Sequence, residues 1–150
     1  MFDSLALLPP DSILGLAAAC RADSNPNKVD LPLGVYMDET GLCPVFEAVQ
    51  QAQRDLIQEE MTKVYMPPQG DAAYLEGVQT LVLGEERRAL LRDRLTAVQT
   101  PGGCGAVRLG AEVIFAAAPT ATVWVSDPTW PVHIPLMGSV GLQFKSYRYY

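Results

Sequence analysis

Residues 95–126 read LTAVQTPGGCGAVRLGAEVIFAAAPTATVWVS. This stretch predicts a short strand at 95–100, a glycine-rich turn, a largely apolar helix at 106–118 and a buried strand at 121–126. Strand, helix and strand in this order indicate a βαβ crossover, which joins two parallel strands of one sheet. The stretch therefore predicts an α/β fold with a mostly parallel sheet.

The flanking residues extend this pattern. A further strand is predicted at 143–149 and an irregular one at 29–37, while Pro131, Pro135 and Gly138 disfavour a helix after the second strand. Helical spacing and capping residues predict four upstream helices, at 12–20, 44–60 (with Pro44 in its first turn), 71–84 (capped by Asp71 and ended by Gly84) and 85–94.

The composition is that of one globular domain in a reducing compartment. The chain has 150 residues, of which 49% are hydrophobic and 19% charged, and no apolar run approaches the roughly 18 residues that span a bilayer. The first residues lack the basic flank of a signal peptide, and three widely spaced cysteines do not form a disulfide framework. A cytoplasmic protein is expected.

Charge and ligand counts exclude two classes of function. The formal net charge of −6 opposes broad contact with a nucleic-acid backbone. A single histidine, His133, and the absence of a C-x-x-C pair leave no zinc site at usable spacing. Neither nucleic acid nor a metal is therefore expected as a ligand.

The glycine turn, residues 101–105 (PGGCG), is the first candidate site. A strand that ends in glycines and leads into a helix directs free backbone N–H groups and the positive end of the helix dipole at one point. That arrangement binds anions, most often phosphate. The turn matches neither the dinucleotide nor the P-loop fingerprint, so a tight connection without a ligand remains an open alternative.

Three side chains nearby could carry chemistry. Cys104 at the helix start could be a thiolate nucleophile with His133 as its base, or an ordinary cysteine. Trp130 lies just beyond the carboxyl end of a predicted strand, where α/β sheets bind ligands, and its ring could stack on a flat cofactor or pack as an ordinary half-buried tryptophan.

Taken together, the motifs resemble the N-terminal part of the aspartate and aromatic amino-acid aminotransferases. These are fold-type I enzymes of three α/β/α layers that depend on pyridoxal phosphate. Besides Tyr65 with Gly70, the resemblance rests on PDSIL at 10–14, LGVY at 33–36, DETG at 38–41, PVF at 44–46, VQTPGGCGA at 98–106, VWVSDPTW at 123–130 and YRY at 147–149.

The resemblance implies a role for each candidate residue. Gly102, Gly103 and Cys104 match the loop that holds the phosphate of pyridoxal phosphate, although the family usually has serine or threonine at the position of Cys104. Trp130 matches the residue that stacks on the pyridine ring and borders the substrate. His133 matches the histidine behind the aspartate that pairs with the ring nitrogen.

Two further matches imply a shared active site. Tyr65 matches a tyrosine that reaches the phosphate in the neighbouring subunit, which implies a homodimer. Gly34 matches the glycine whose backbone approaches the substrate carboxylate. By the same resemblance, residues 1–10 are an arm that contacts the dimer partner, 11–43 belong to the small domain, and 44–150 begin the large cofactor-binding domain.

The resemblance implies transamination between an aromatic or dicarboxylic amino acid and a 2-oxo acid. None of Lys28, Lys63 and Lys145 matches the lysine that bonds the cofactor, so no catalytic residue is assigned and the chain is expected to be an incomplete, N-terminal part that is inactive alone. The alternatives are a non-catalytic module that binds pyridoxal phosphate, a decayed aminotransferase and a cysteine-dependent hydrolase that uses Cys104 and His133.

Overall fold

The computed structural model describes residues 12–31 and 34–150, and the chain divides into two compact units, Met1–Lys63 and Val64–Tyr150. The predicted arm at residues 1–10 lies outside the described residues. The domain boundaries that the resemblance implies stay a prediction.

The first unit contains two helices, α1 (Ser12–Ala22) and α2 (Glu47–Glu59). Helix α1 lies where the sequence predicts it. Pro44 is not in the first turn of α2, because the amides of Val49 and Gln50 both donate to the carbonyl of Phe46, at 2.9 and 3.0 Å, and make Phe46 the N-cap. In the described part of residues 29–37 the backbone forms no strand, so that prediction is also wrong.

Between these helices, residues 36–46 form a loop that is held by its own contacts. The Asp38 carboxylate accepts hydrogen bonds from the Thr40 hydroxyl at 2.7 Å and from the Leu42 amide at 3.0 Å. These bonds, that from Thr40 first, hold the pKa of Asp38 below its ordinary value. The rings of Tyr36 and Phe46 pack with their centroids 5.7 Å apart, so the two ends of the loop lie close together.

The second unit begins with a pair of helices, α3 (Ala72–Leu83) and α4 (Glu85–Leu91), followed by a 3-10 turn at Arg92–Arg94. The Asp71 carboxylate caps α3 by accepting from the Tyr74 amide at 2.8 Å, and Gly84 ends that helix, as predicted. Arg88 on α4 donates to Glu76 on α3 at 2.5 Å, which joins the two helices.

Replacing Asp71 with alanine is expected to lower the free energy of unfolding by about 1 kcal/mol, because the Tyr74 amide loses the cap that satisfies it. Denaturant titration measures this change. Asp93→Ala is the matched control, because the Asp93 side chain is 90% exposed and should alter stability by less than about 0.5 kcal/mol. Equal losses in the two variants would contradict the capping role.

The remaining elements are α5 (Gly102–Ala117), β1 (Thr122–Asp127), α6 (His133–Gly138) and β2 (Gln143–Arg148). Strands β1 and β2 pair in parallel, from Thr122 opposite Gln143 to Asp127 opposite Arg148. The predicted parallel α/β class is therefore confirmed. The βαβ crossover, however, is β1–α6–β2 rather than the one predicted around α5.

The predicted strand at 95–100 is wrong. Its backbone is extended at Leu95, with φ −117° and ψ 126°, but residues 95–100 join no ladder among the described residues. Local sequence favours an extended backbone, whereas a strand also requires a neighbour that supplies hydrogen bonds. This stretch is therefore an extended connection between the 3-10 turn and α5.

Helix α6 contradicts the expectation that Pro131, Pro135 and Gly138 disfavour a helix after β1. Pro135 is the third residue of α6, within the first turn, where the amide that proline lacks would have no partner inside the helix. Helix α5 packs on α6, and the Arg108 guanidinium on α5 donates to the Ser139 hydroxyl just beyond α6.

The core of the second unit is small. Its buried apolar residues are Ala111 on α5, Val125 on β1 and Leu142 just before β2. Ala111 and Val125 line the same cavity between α5 and β1, and α6 is the element that packs on both α5 and β2. Among the described residues, none of the helices has both the length and the apolar character needed to cross a membrane.

Candidate functional site

The glycine turn opens α5 directly. Helix α5 begins at Gly102, four residues before the predicted start, because the glycines are its first turn rather than a loop before it. Gly102 has φ +71°, and its amide donates to the Thr100 carbonyl at 2.8 Å. The Thr100 hydroxyl donates to the Gly102 carbonyl at 3.1 Å. Thr100 thus bonds both the N–H and the carbonyl of Gly102 at the entry to the helix.

The first turn of α5 has the features of an anion site. Its N-cap, Pro101, provides no side-chain cap, and no acidic residue lies in the first turn. The first amides of a helix have no partner inside it and carry the positive end of the dipole. A Cβ placed on Gly102 or Gly103 would meet nothing within 4 Å, and Cys104 is exposed. Because these donors are uncapped and the approach to them is open, they fit a phosphate group.

A second cluster follows the carboxyl end of β1. The Thr129 hydroxyl lies 2.9 Å from His133 Nδ1, and the rings of Trp130 and His133 meet edge to face with centroids 5.2 Å apart. The amide of His133 donates to the carbonyl of Trp130 at 3.0 Å. Trp130 remains 37% exposed, so His133 supports its ring from one side while another part of the ring is free to contact a ligand.

The structure brings together some predicted site residues but not all. Trp130 contacts His133, and Gly102, Gly103 and Cys104 share one helical turn. Tyr65 is fully exposed, in a segment of the second unit that belongs to no helix or strand, and Gly34 is an exposed residue of the first unit. Cys104 and His133, both described, make no hydrogen bond with each other, and Nδ1 of His133 contacts Thr129 instead. A Cys104–His133 nucleophile pair therefore has no support.

Two residues of the site were missed at the level of sequence. Thr129 lies four residues before His133, and this i, i+4 spacing of a hydroxyl and an imidazole was a readable signal. Gln99 accepts a hydrogen bond from the amide of Asp71, which lies 28 positions earlier, and no local sequence pattern indicates this contact. In the described ranges, 12–31 and 34–150, no group of three acidic, histidine or cysteine side chains could hold a metal ion.

The architecture is that of a parallel α/β protein in which an uncapped helix that begins with glycines is the candidate anion site. Comparison with known proteins identifies the family to which the chain belongs. The family described as aminotransferase class I and II matches residues 26–150, which is most of the chain, so the chain belongs to this family.

Similar proteins are aminotransferases that act on different amino acids. The chain is 42% identical over 148 residues to an aromatic-amino-acid aminotransferase of Pseudomonas aeruginosa, with 99% of this chain and 37% of that protein covered. It is 39% identical over 150 residues to an aspartate aminotransferase of Salmonella typhi, with 100% and 38% covered. The chain thus spans under two fifths of the length of these relatives.

A solved structure of an aromatic-amino-acid aminotransferase from Burkholderia pseudomallei, covalently bound to pyridoxal phosphate, superposes with a TM-score of 0.88 at 37% identity. The match covers 100% of this chain and 38% of that one. The predicted fold class is therefore confirmed: the chain has the fold of the N-terminal part of a fold-type I aminotransferase.

Proposed function

We propose that this chain provides the phosphate-binding part of a pyridoxal-phosphate-dependent aminotransferase. The whole protein would exchange an amino group between an aromatic or dicarboxylic amino acid and a 2-oxo acid. The observation that carries the proposal is the uncapped first turn of α5, with open space at Gly102 and Gly103, in a chain of the aminotransferase family.

The glycine turn would hold the cofactor phosphate. The amides of Gly103 and Cys104 are the donors, and the helix dipole adds a favourable term of typically 0.3–1 kcal/mol for a negative group. Thr100 keeps the Gly102 peptide in place through two hydrogen bonds, so the donors are arranged before the ligand arrives. Prearranged donors bind more tightly, since no ordering cost remains.

Trp130 and His133 would orient the cofactor ring. The free part of the Trp130 ring is the stacking surface, and the edge-to-face contact with His133 keeps that ring from turning. With the Thr129 hydroxyl at Nδ1, His133 has its Nε2 left for a group nearer the cofactor. Pyridoxal phosphate, when bound, supplies an electron-poor ring that accepts electron density from the amino acid.

Tyr65 and Gly34 would complete the site. The fully exposed Tyr65 is available to reach the phosphate bound by a second subunit, in a homodimer with shared active sites. Gly34, also exposed, would let backbone approach the substrate carboxylate. We also propose that the protein is cytoplasmic, that residues 1–10 contact the dimer partner, and that residues 11–43 and 44–150 belong to the small and large domains.

The test is cofactor binding and amino transfer by the protein expressed from its full coding sequence. We expect it to bind pyridoxal phosphate and to transfer the amino group of aspartate or phenylalanine to 2-oxoglutarate. Binding without transfer would support the non-catalytic module instead, and a protein that binds no pyridoxal phosphate would refute both.

The two tryptophans of the chain provide a matched pair of variants for the same assay. Trp130→Leu is expected to weaken binding of pyridoxal phosphate roughly two- to tenfold, the value of an aromatic stacking contact. Trp124→Leu removes the other tryptophan, which lies on β1 and is 59% exposed, and should leave binding unchanged. Equal effects of the two variants would contradict the stacking role.

A further inference from the structure

A hydrogen-bonded clasp joins residues 67–71 to Gln99. The backbone amide of Asp71 donates to the side-chain Oε1 of Gln99 at 2.9 Å. The backbone amide of Gln99 donates to the backbone carbonyl of Gln69 at 2.8 Å. The Gly70 amide donates to the Pro67 carbonyl at 2.8 Å and closes the turn itself. Gln99 therefore contacts this turn through both its backbone and its side chain.

Within the clasp, the backbone of Gly70 packs directly against Gln99. Gly70 is buried and has φ +105°, and a Cβ built on it would lie 2.2 Å from the Cβ of Gln99 and 3.3 Å from its Cα. Only a residue without a side chain allows this approach. The turn therefore packs directly on Gln99, and the space between them is too small for a methyl group.

The clasp connects the entry to α5, the N-terminus of α3 and the segment that carries Tyr65. Gln99 precedes Thr100, which bonds Gly102 at the entry to α5. Asp71, whose amide is held by Gln99, caps α3 with its side chain. On the other side, the turn continues backward to Tyr65 through only Met66. The glycine turn and the segment that carries Tyr65 are thus connected through one residue, Gln99.

We propose that Gln99 is a positioning residue that holds the Tyr65 segment in fixed relation to the phosphate-binding turn. This inference rests on the proposed function, in which Tyr65 and the glycine turn bind phosphate groups in the two sites of a dimer. Through Gln99, the two contributions of one subunit are set by one residue, so the geometry of each site depends on the clasp of the other subunit as well as on its own.

A double-mutant cycle tests this role with pyridoxal phosphate as the probe. Gln99→Met keeps the length of the side chain but removes the acceptor for the Asp71 amide, and should weaken binding about two- to tenfold. Tyr65→Phe removes the phenol. If Gln99 acts by placing Tyr65, the Tyr65→Phe loss is smaller in the Gln99→Met background than in the wild type. Fully additive losses would overturn the inference.

Hydrogen exchange provides a readout that needs no ligand. The Asp71 amide should exchange at least about fivefold faster in Gln99→Met, because it loses its acceptor. Gln99→Glu, which retains an accepting oxygen, should keep that amide protected. Gln69→Met is the control, since the exposed Gln69 side chain takes no part in these bonds. Unchanged exchange at Asp71 in Gln99→Met would overturn the clasp.

Failure of the proposed function is separately visible. A wild-type protein that binds no pyridoxal phosphate refutes the proposed function, and the positioning role with it, before any variant is made. A wild-type protein that binds it, with a Gln99→Met variant of equal affinity, refutes only the positioning role.

Discussion

Replacing Gly70 by alanine is expected to lower the free energy of unfolding by about 2–5 kcal/mol, the largest stability change among these variants. Two costs add. The backbone at φ +105° lies in a region that L side chains rarely adopt, and the new Cβ would lie 2.2 Å from the Cβ of Gln99. Because the Gln99 backbone also lies within 3.3 Å, rotation of its side chain cannot relieve the clash.

Gly77→Ala is the matched control for Gly70→Ala. Gly77 lies inside α3 with nothing within 4 Å of a built Cβ. Since alanine is the better helix former, this variant should raise stability by up to about 1 kcal/mol. Denaturant titration of both variants compares the same chemical change in two settings. A Gly70→Ala protein as stable as the wild type would show that residues 67–71 are not fixed against Gln99.

Replacing Gly103 by aspartate is expected to reduce the affinity for inorganic phosphate and for pyridoxal phosphate by at least tenfold. The carboxylate would lie in the first turn of α5, beside the amides proposed to hold the phosphate. Two like charges about 4 Å apart repel by several kcal/mol at an effective dielectric constant near 20, and exposure reduces this to at least about 1.4 kcal/mol, which is tenfold.

The same substitution should leave the fold intact. The site has open space for the side chain, and an acidic residue in the first turn favours the helix by typically 0.3–1 kcal/mol. Gly103→Asn adds nearly the same volume without the charge and should cost much less affinity. Isothermal titration with phosphate, together with thermal unfolding, separates the two effects. If aspartate and asparagine weaken binding equally, the turn does not bind through charge.

Local signals were sufficient for the positions of α1 and α3, and they indicate the glycine turn as the candidate anion site. Asp71 and Gly84 bound α3 as the sequence predicts, because a cap and a stop glycine act over a few residues. The glycine turn is recognised for the same reason, and its role as an anion site stays a prediction. The first residue of α5 was misplaced, since glycines that disfavour a helix in isolation occur in its first turn when the approach must stay open.

Features that depend on distant partners could not be predicted from the sequence. An extended stretch such as 95–100 becomes a strand only if a neighbour pairs with it, and its own residues do not encode that neighbour. The bond between Asp71 and Gln99 joins positions 28 residues apart. Pro135 was misread because its effect depends on its position within α6, and the sequence did not establish where that helix begins.

The backbone at Gly70 and Gly102 has a consequence for how this gene tolerates mutation. Positive φ is the conformation natural to a residue of opposite handedness, and glycine is the one encoded amino acid that lacks handedness. Every amino-acid replacement reached from a glycine codon by one nucleotide change introduces a Cβ of the L configuration. At Gly70, where that atom also meets Gln99, no missense change is conservative, and only synonymous changes are expected to persist.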